Sequence, residues 1–191
     1  LAKYQRDSIS ECRIFEGHTT IVNSIAFSPD GHSVLSGSGI CGIHGVRSWD
    51  NTLLLWDVAT GVCLRVFEDY TKSVNSVAFS PNGLFVLSGN SDRTLKLWSM
   101  KTGEHIRTFE GHTEEVNTVT FSPADERFIL SGSSDNTIRL WDIATGLCLR
   151  VFKGNAKPVR CVAFSPDGHH VISCAGRVLQ LWDVADRKSV V

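Results

Sequence analysis

The feature that most constrains this chain is a period. Trp56, Trp98, Trp141 and Trp182, each closing an aliphatic run, stand 42, 43 and 41 residues apart. A parallel ladder of Phe27, Phe79, Phe121 and Phe164, each followed by Ser-Pro, has steps of 52, 42 and 43. Its long first step is one period plus ten extra residues between Ser38 and Asp50; its third is longer by one because "SPADERF" exceeds "SPNGLF" by one residue. Self-similarity at this spacing means one supersecondary unit repeated, each unit too small to bury its own apolar face and relying on its neighbours to do so. Four units, near 11–57, 62–99, 104–142 and 147–183, follow an extension at 1–10.

Within a unit the local signals are those of strands. "VNSIAF" (22–27), "SVLSG" (33–37), "TLLLW" (52–56) and "VCLRVF" (62–67) are short runs rich in β-branched, aliphatic and aromatic residues. Turn chemistry separates them. "SPDG" at 28–31 and 165–168 suits a type I turn, with Pro second and Gly fourth, and "ATG" at 59–61 and 144–146 closes the last hairpin. Each unit is therefore expected to be a four-stranded meander. Several strands are apolar on both faces, as expected of small sheets sandwiched between neighbours.

Composition removes several classes of function. Nineteen Lys and Arg stand against 20 Asp and Glu, so no field of one sign exists to hold a nucleic acid or an anionic membrane. The longest apolar runs are strand-sized, too short for a helical span or a secretory signal. A reducing, cytoplasmic setting is expected. The six cysteines (Cys12, Cys41, Cys63, Cys148, Cys161 and Cys174) form no C-x-x-C pair and are expected to be small core residues rather than a disulfide framework. The only Met is Met100 and the chain opens "LAKYQRDS", so it is expected to derive from a longer protein.

With "GH" at 17–18 and 111–112, "FSPDG" or a variant four times, and "WD" at 56–57, 141–142 and 182–183, the sequence resembles the WD-repeat β-propeller family from about residue 11 to 191. The resemblance implies an all-β fold of four-stranded antiparallel blades, about four of them, making a partial or open propeller. It also implies that each repeat begins with the outer strand of one blade and supplies the first three strands of the next. On that pattern "ECRIF" (11–15) is an outer strand without its own blade, and "DVADRKSVV" stops before another outer strand is complete. Two open edges are then expected, to be met by a longer protein or by a second copy completing a ring of about eight blades.

The family's structural tetrad of His, Ser, Asp and Trp maps onto His18, Ser36, Asp50 and Trp56, and onto His112, Ser131, Asp135 and Trp141. The second unit keeps Ser88, Asp92 and Trp98 with Tyr70 in the His place; the fourth keeps Ser173 and Trp182, has Asn155 near the His place and loses the Asp in "CAGRV". These groups can satisfy one another where water is excluded. His, Ser and Asp are also the ingredients of a hydrolase, but no G-x-S-x-G elbow is present and the set recurs along the chain. Cys41 and His44, with His32 nearby, offer no second ligand pair for zinc, no phosphate-binding glycine loop occurs, and His169 and His170 read as solvated hairpin residues. No catalytic residue, metal or cofactor is expected.

Family resemblance further implies a partner-binding top face at Ile21, Asn23 and Trp49; Ser73, Asn75 and Ser91; Glu115, Asn117 and Ser134; and Pro158 and Arg160. The function expected is a non-catalytic scaffold that binds a protein or peptide there. Two alternatives stand beside it: the sensor array of a larger signalling NTPase, and a module that self-assembles through its open edges. The insert, taken as 39–48, enters a surface turn, where added length costs only a logarithm of entropy. Its Ile40, Ile43, Val46 and Trp49 leave a recognition role open.

Overall fold

The computed structural model describes residues 13–39, 50–68 and 72–185. All regular structure among them is β. The first blade holds β1 (Val22–Phe27), β2 (Ser33–Ser38), β3 (Thr52–Asp57) and β4 (Cys63–Glu68), the last contributed by the following repeat. The second supplies β5 (Val74–Phe79), β6 (Phe85–Asn90), β7 (Leu95–Ser99) and β8 (His105–Phe109), and the third β9 (Val116–Phe121), β10 (Phe128–Ser133), β11 (Ile138–Asp142) and β12 (Cys148–Phe152). The fourth supplies β13 (Val159–Phe164), β14 (His170–Ala175) and β15 (Val178–Asp183). Each set is one antiparallel meander in chain order, three of them four-stranded and the last three-stranded.

Turn chemistry sets these meanders. In the Ser-Pro turns the fourth residue returns a hydrogen bond to the first, as from Gly31 N–H to the Ser28 carbonyl and from Gly168 to Ser165, both 2.9 Å. Ser28 Oγ also takes the Ser33 N–H, which aims the chain into β2. In the longer third copy Glu126, at φ 53°, takes the left-handed position that glycine holds elsewhere.

The sheets stack as blades, with β1 against β5, β5 against β9 and β9 against β13, so the first strand of each meander lines the inner side of an arc. The core is a row of three inter-blade clusters. In the first, Leu35, Leu53, Leu55 and Phe67 of one blade meet Val74, Val77, Val86 and Trp98 of the next. The register-equivalent residues fill the other two clusters. Apolar side chains on both faces of the strands thus find their reason. Close approach depends on glycine in each middle strand: a Cβ on Gly37, Gly89 or Gly132 would come within 2.5–2.7 Å of a valine methyl of the following blade.

Both outer faces of the stack expose large apolar side chains. Ile25 is 69% exposed, whereas its equivalents Val77 and Val119 are buried; Leu181 is 71% exposed against 5% for its equivalent Leu140. The four-blade arc is open, with no closed sheet.

Two expectations need correction. Residues 13–15 of "ECRIF" are not a strand, because no third strand lies beside them to accept their ladder. They still hold the outer-strand position: Phe15 packs edge-on against Trp56 at 5.8 Å, as Phe67, Phe109 and Phe152 pack against Trp98, Trp141 and Trp182. Of the described cysteines, Cys148 packs against a core cluster and the others do not. Cys63 and Cys161 are exposed and Cys148 and Cys174 half-buried, all as free thiols, since they lie on an outer strand or on the uncovered last face. Cys12 and Cys41 lie outside the described residues.

Candidate functional site

In the third blade the four tetrad residues form one directed chain. Trp141 donates its indole N–H to Ser131 Oγ at 2.9 Å, Ser131 donates to His112 Nε2 at 2.7 Å, and His112 Nδ1 donates to Asp135 Oδ2 at 2.8 Å. The neutral tautomer with its proton on Nδ1 is the one that satisfies every member. Asp135 also accepts from the Thr113 N–H and the Thr137 hydroxyl. Burial pushes the His112 pKa down, against the pull of Asp135, so the imidazole is neutral at pH 7. Burial opposes the Asp135 charge, but hydrogen bonds from His112 and Thr137 outweigh it and hold the carboxyl well below its usual range.

The first blade repeats the chain. Trp56 donates to Ser36 at 2.8 Å, Ser36 and His18 Nε2 are 2.7 Å apart, and His18 Nδ1 meets Asp50 Oδ2 at 3.1 Å. Burial again opposes the Asp50 charge, yet Thr52, Ser38, the Thr19 N–H and His18 bring its pKa down to about 2.

The other two units are incomplete. Trp98 reaches Ser88 at a longer 3.4 Å, and Asp92 accepts from Thr94 and pairs with Lys96 at 3.5 Å; Tyr70 lies outside the described residues. In the fourth blade Trp182 donates to Ser173 at 2.9 Å and Ser173 to Asn155 Oδ1 at 3.3 Å. The short hairpin through Gly176 and Arg177 brings no carboxylate, and the buried Asn155 Nδ2 has no partner among the described residues.

The described positions assigned to a top face lie where the inner strands begin and the second hairpins turn. Ser91 N–H reaches the Ser73 carbonyl and Ser134 N–H the Glu115 carbonyl, both at 2.9 Å. Their side chains divide in a way the sequence did not disclose. Asn23, Asn75 and Asn117 donate from Nδ2 to the carbonyls of Val74, Val116 and Val159, each the opening residue of the next blade's inner strand, at 2.9–3.0 Å. Ser73 and Ser91 are buried, and their hydroxyls meet Asn75 Oδ1. Ser73 in particular is buried at the start of β5, because the first blade's Asn23 and Gly39 close over it. Ile21 and Arg160 are exposed; Glu115, Ser134 and Pro158 are half-buried. Trp49 lies outside the described residues.

A second set of inter-blade bonds was missed in the sequence. Arg65 and Arg107, on outer strands, donate to carbonyls of the next blade's last hairpin, at Thr102 and Lys101 and at Thr145 and Ala144. Arg13 makes the same bond to Val58, and Arg150 to Asp183 and Val184. The sequence signal is an arginine at one fixed place in every unit, within "RIF", "RVF" and "RTF".

These features have the spacing, turns and side-chain networks of one family. The profile of the WD domain, G-beta repeat, matches residues 9–57, 61–99, 103–142 and 146–183. The chain belongs to the WD-repeat family. Among its relatives it is 33% identical over 87 residues to nuclear distribution protein PAC1 of Coccidioides posadasii, covering 45% of this chain and 18% of that protein. It is 42% identical over 72 residues to the ribosome biogenesis protein BOP1 homolog of Drosophila erecta, covering 38% of this chain and 8% of the relative. The matched stretches thus span less than a fifth of these WD-repeat relatives. Among the described residues no helix is long and apolar enough to cross a membrane, and no group of three or more His, Cys, Asp or Glu is placed to hold a metal ion.

Proposed function

We propose that this WD-repeat arc is a non-catalytic scaffold that binds a protein or peptide along the rim carrying Ile21, Glu115, Pro158 and Arg160. The observation that carries this reading is the rim's construction. Asparagine bridges fix each inner strand to the next, so an exposed aliphatic, an acid and a base are presented at set distances on a backbone that need not be ordered again on binding. The His-Ser-Asp sets serve stability in this reading, since Ser131 is 0% exposed and an ester or peptide bond has no path to its hydroxyl.

The test is site-specific photo-crosslinking in cells, with benzoylphenylalanine placed singly at Ile21, Glu115 and Arg160, and at Leu84 and Leu147 on the opposite rim. A discrete adduct from the first three and none from the last two is expected. Adducts confined to Leu84 and Leu147 would move the binding surface to the other side.

A second reading, end-to-end association of copies, is favoured by the two uncovered faces with Ile25 and Phe27 at one end and Leu179 and Leu181 at the other. Sedimentation velocity of the wild type against Ile25→Asp tests it: a concentration-dependent dimer lost in the variant supports association, and a monomer in both excludes it.

A further inference from the structure

In three blades the same register position on the first two strands pairs a hydroxyl with a glycine. The pairs are Ser24 with Gly37, Ser76 with Gly89, and Thr118 with Gly132. The fourth blade departs from this at both members, with Cys161 on β13 opposite Cys174 on β14. In the first two blades each member has an inter-blade task. Ser24 and Ser76 take the N–H of Val77 and Val119 in the next blade, and the glycines admit its valines. Neither task is performed at the last face, where Cys161 is exposed and Cys174 half-buried.

We propose that Cys161 and Cys174 form a redox-labile dithiol that closes to a cross-strand disulfide by exchange with a low-molecular-weight disulfide of the glutathione class. Residues directly opposite in an antiparallel pair project from the same side of the sheet, with Cα atoms about 4.5–5.5 Å apart. A disulfide spans about 4.4–6.8 Å between Cα atoms, so the bond forms without moving either strand far. The exposed Cys161 thiolate attacks one sulfur of the small disulfide and expels a thiolate. Cys174 then attacks the Cys161 sulfur and expels the second. Two protein thiols are oxidised, one small disulfide is reduced to two thiols, and no other reactant is needed.

The surroundings favour a device that opens and closes over a permanent bridge. Opposed strand residues set their Cβ atoms about 4.5–5.5 Å apart, wider than the roughly 3.5–4.5 Å of a relaxed disulfide, and a strained exposed bond is readily reduced. Cys174 also keeps its face accessible. A side chain at the glycine position leaves no room for a valine seated as Val74, Val116 and Val159 are. Closure would tie together the strands of the blade whose tetrad lacks its carboxylate, one residue from the rim's Arg160.

The experiment equilibrates the 191-residue chain in glutathione buffers of graded reduced-to-oxidised ratio, blocks free thiols with iodoacetamide, and maps the peptides. It is run on the wild type and on a variant with Cys12, Cys41, Cys63 and Cys148 replaced by Ser, each checked for native β circular dichroism. The expected result is loss of both reactive thiols to a single Cys161–Cys174 linkage, reversed by excess reduced glutathione. Cys161→Ser should leave Cys174 with at most a glutathione adduct. Separate adducts on both cysteines, or thiols that stay free at every ratio in the folded wild type, would overturn the proposal.

Discussion

His112 sits neutral in a chain of hydrogen bonds that is complete only while Asp135 is charged. Removing the carboxylate orphans a buried imidazole N–H and the Thr113 amide, so Asp135→Ala should cost about 1–3 kcal/mol; an unchanged urea midpoint would contradict the buried network. The same residues set a pH dependence. His112 has a folded pKa below its unfolded value of about 6.5, so the unfolded chain gains protons first and stability falls as pH drops through that value. Asp50 and Asp135 have depressed folded pKa values, so their contribution is whole above about pH 4 and is lost as pH falls toward about 2 for Asp50. Acid should therefore destabilise the chain in two steps, and His112→Gln should flatten the upper one. Urea midpoints between pH 8 and pH 2 read both. At this scale the tetrads were legible from the sequence because each is a set of polar types at fixed offsets. The rim asparagines were located but their inter-blade bonds were not foreseen, since nothing local says that Asn75 reaches a carbonyl 41 residues away.

Strands and turns were legible almost residue for residue, because a Ser-Pro turn recurs four times and a Thr-Gly turn three times between the apolar runs. The glycines of the middle strands were not, because their reason lies in the next blade. Gly89→Ala puts a methyl 2.7 Å from Val119 Cγ1, and overpacking of this kind costs about 1–3 kcal/mol. A thermal midpoint equal to wild type would show that the blades have room to part. The insert gives a second test at this scale. Gly39 N–H bonds the Ile21 carbonyl as Ser91 and Ser134 bond theirs, so Gly39 belongs to the blade and the added residues are 40–49 rather than 39–48. Ser38 Oγ already reaches the Asp50 carbonyl at 3.1 Å across the gap. Deleting 40–49 should leave the urea midpoint unchanged or higher; a drop of more than 1 M would make the insert part of the core.

The whole molecule is a row of blades in which each interface is built alike, with leucines behind, valines in front, a Phe–Trp contact, an arginine bond at one rim and an asparagine bond at the other. This interface is filled three times, and its counterpart at each end leaves Ile25 and Leu181 open to solvent. Hydrogen exchange read by mass spectrometry on the 191-residue chain tests this arrangement most directly. Peptides covering β5 and β9 should exchange slowest, while β1 and β15, whose Ile25 and Leu181 face solvent, should exchange much faster. Protection of β1 and β15 equal to that of β5 and β9 would mean that the end faces are covered, and would contradict the open arc.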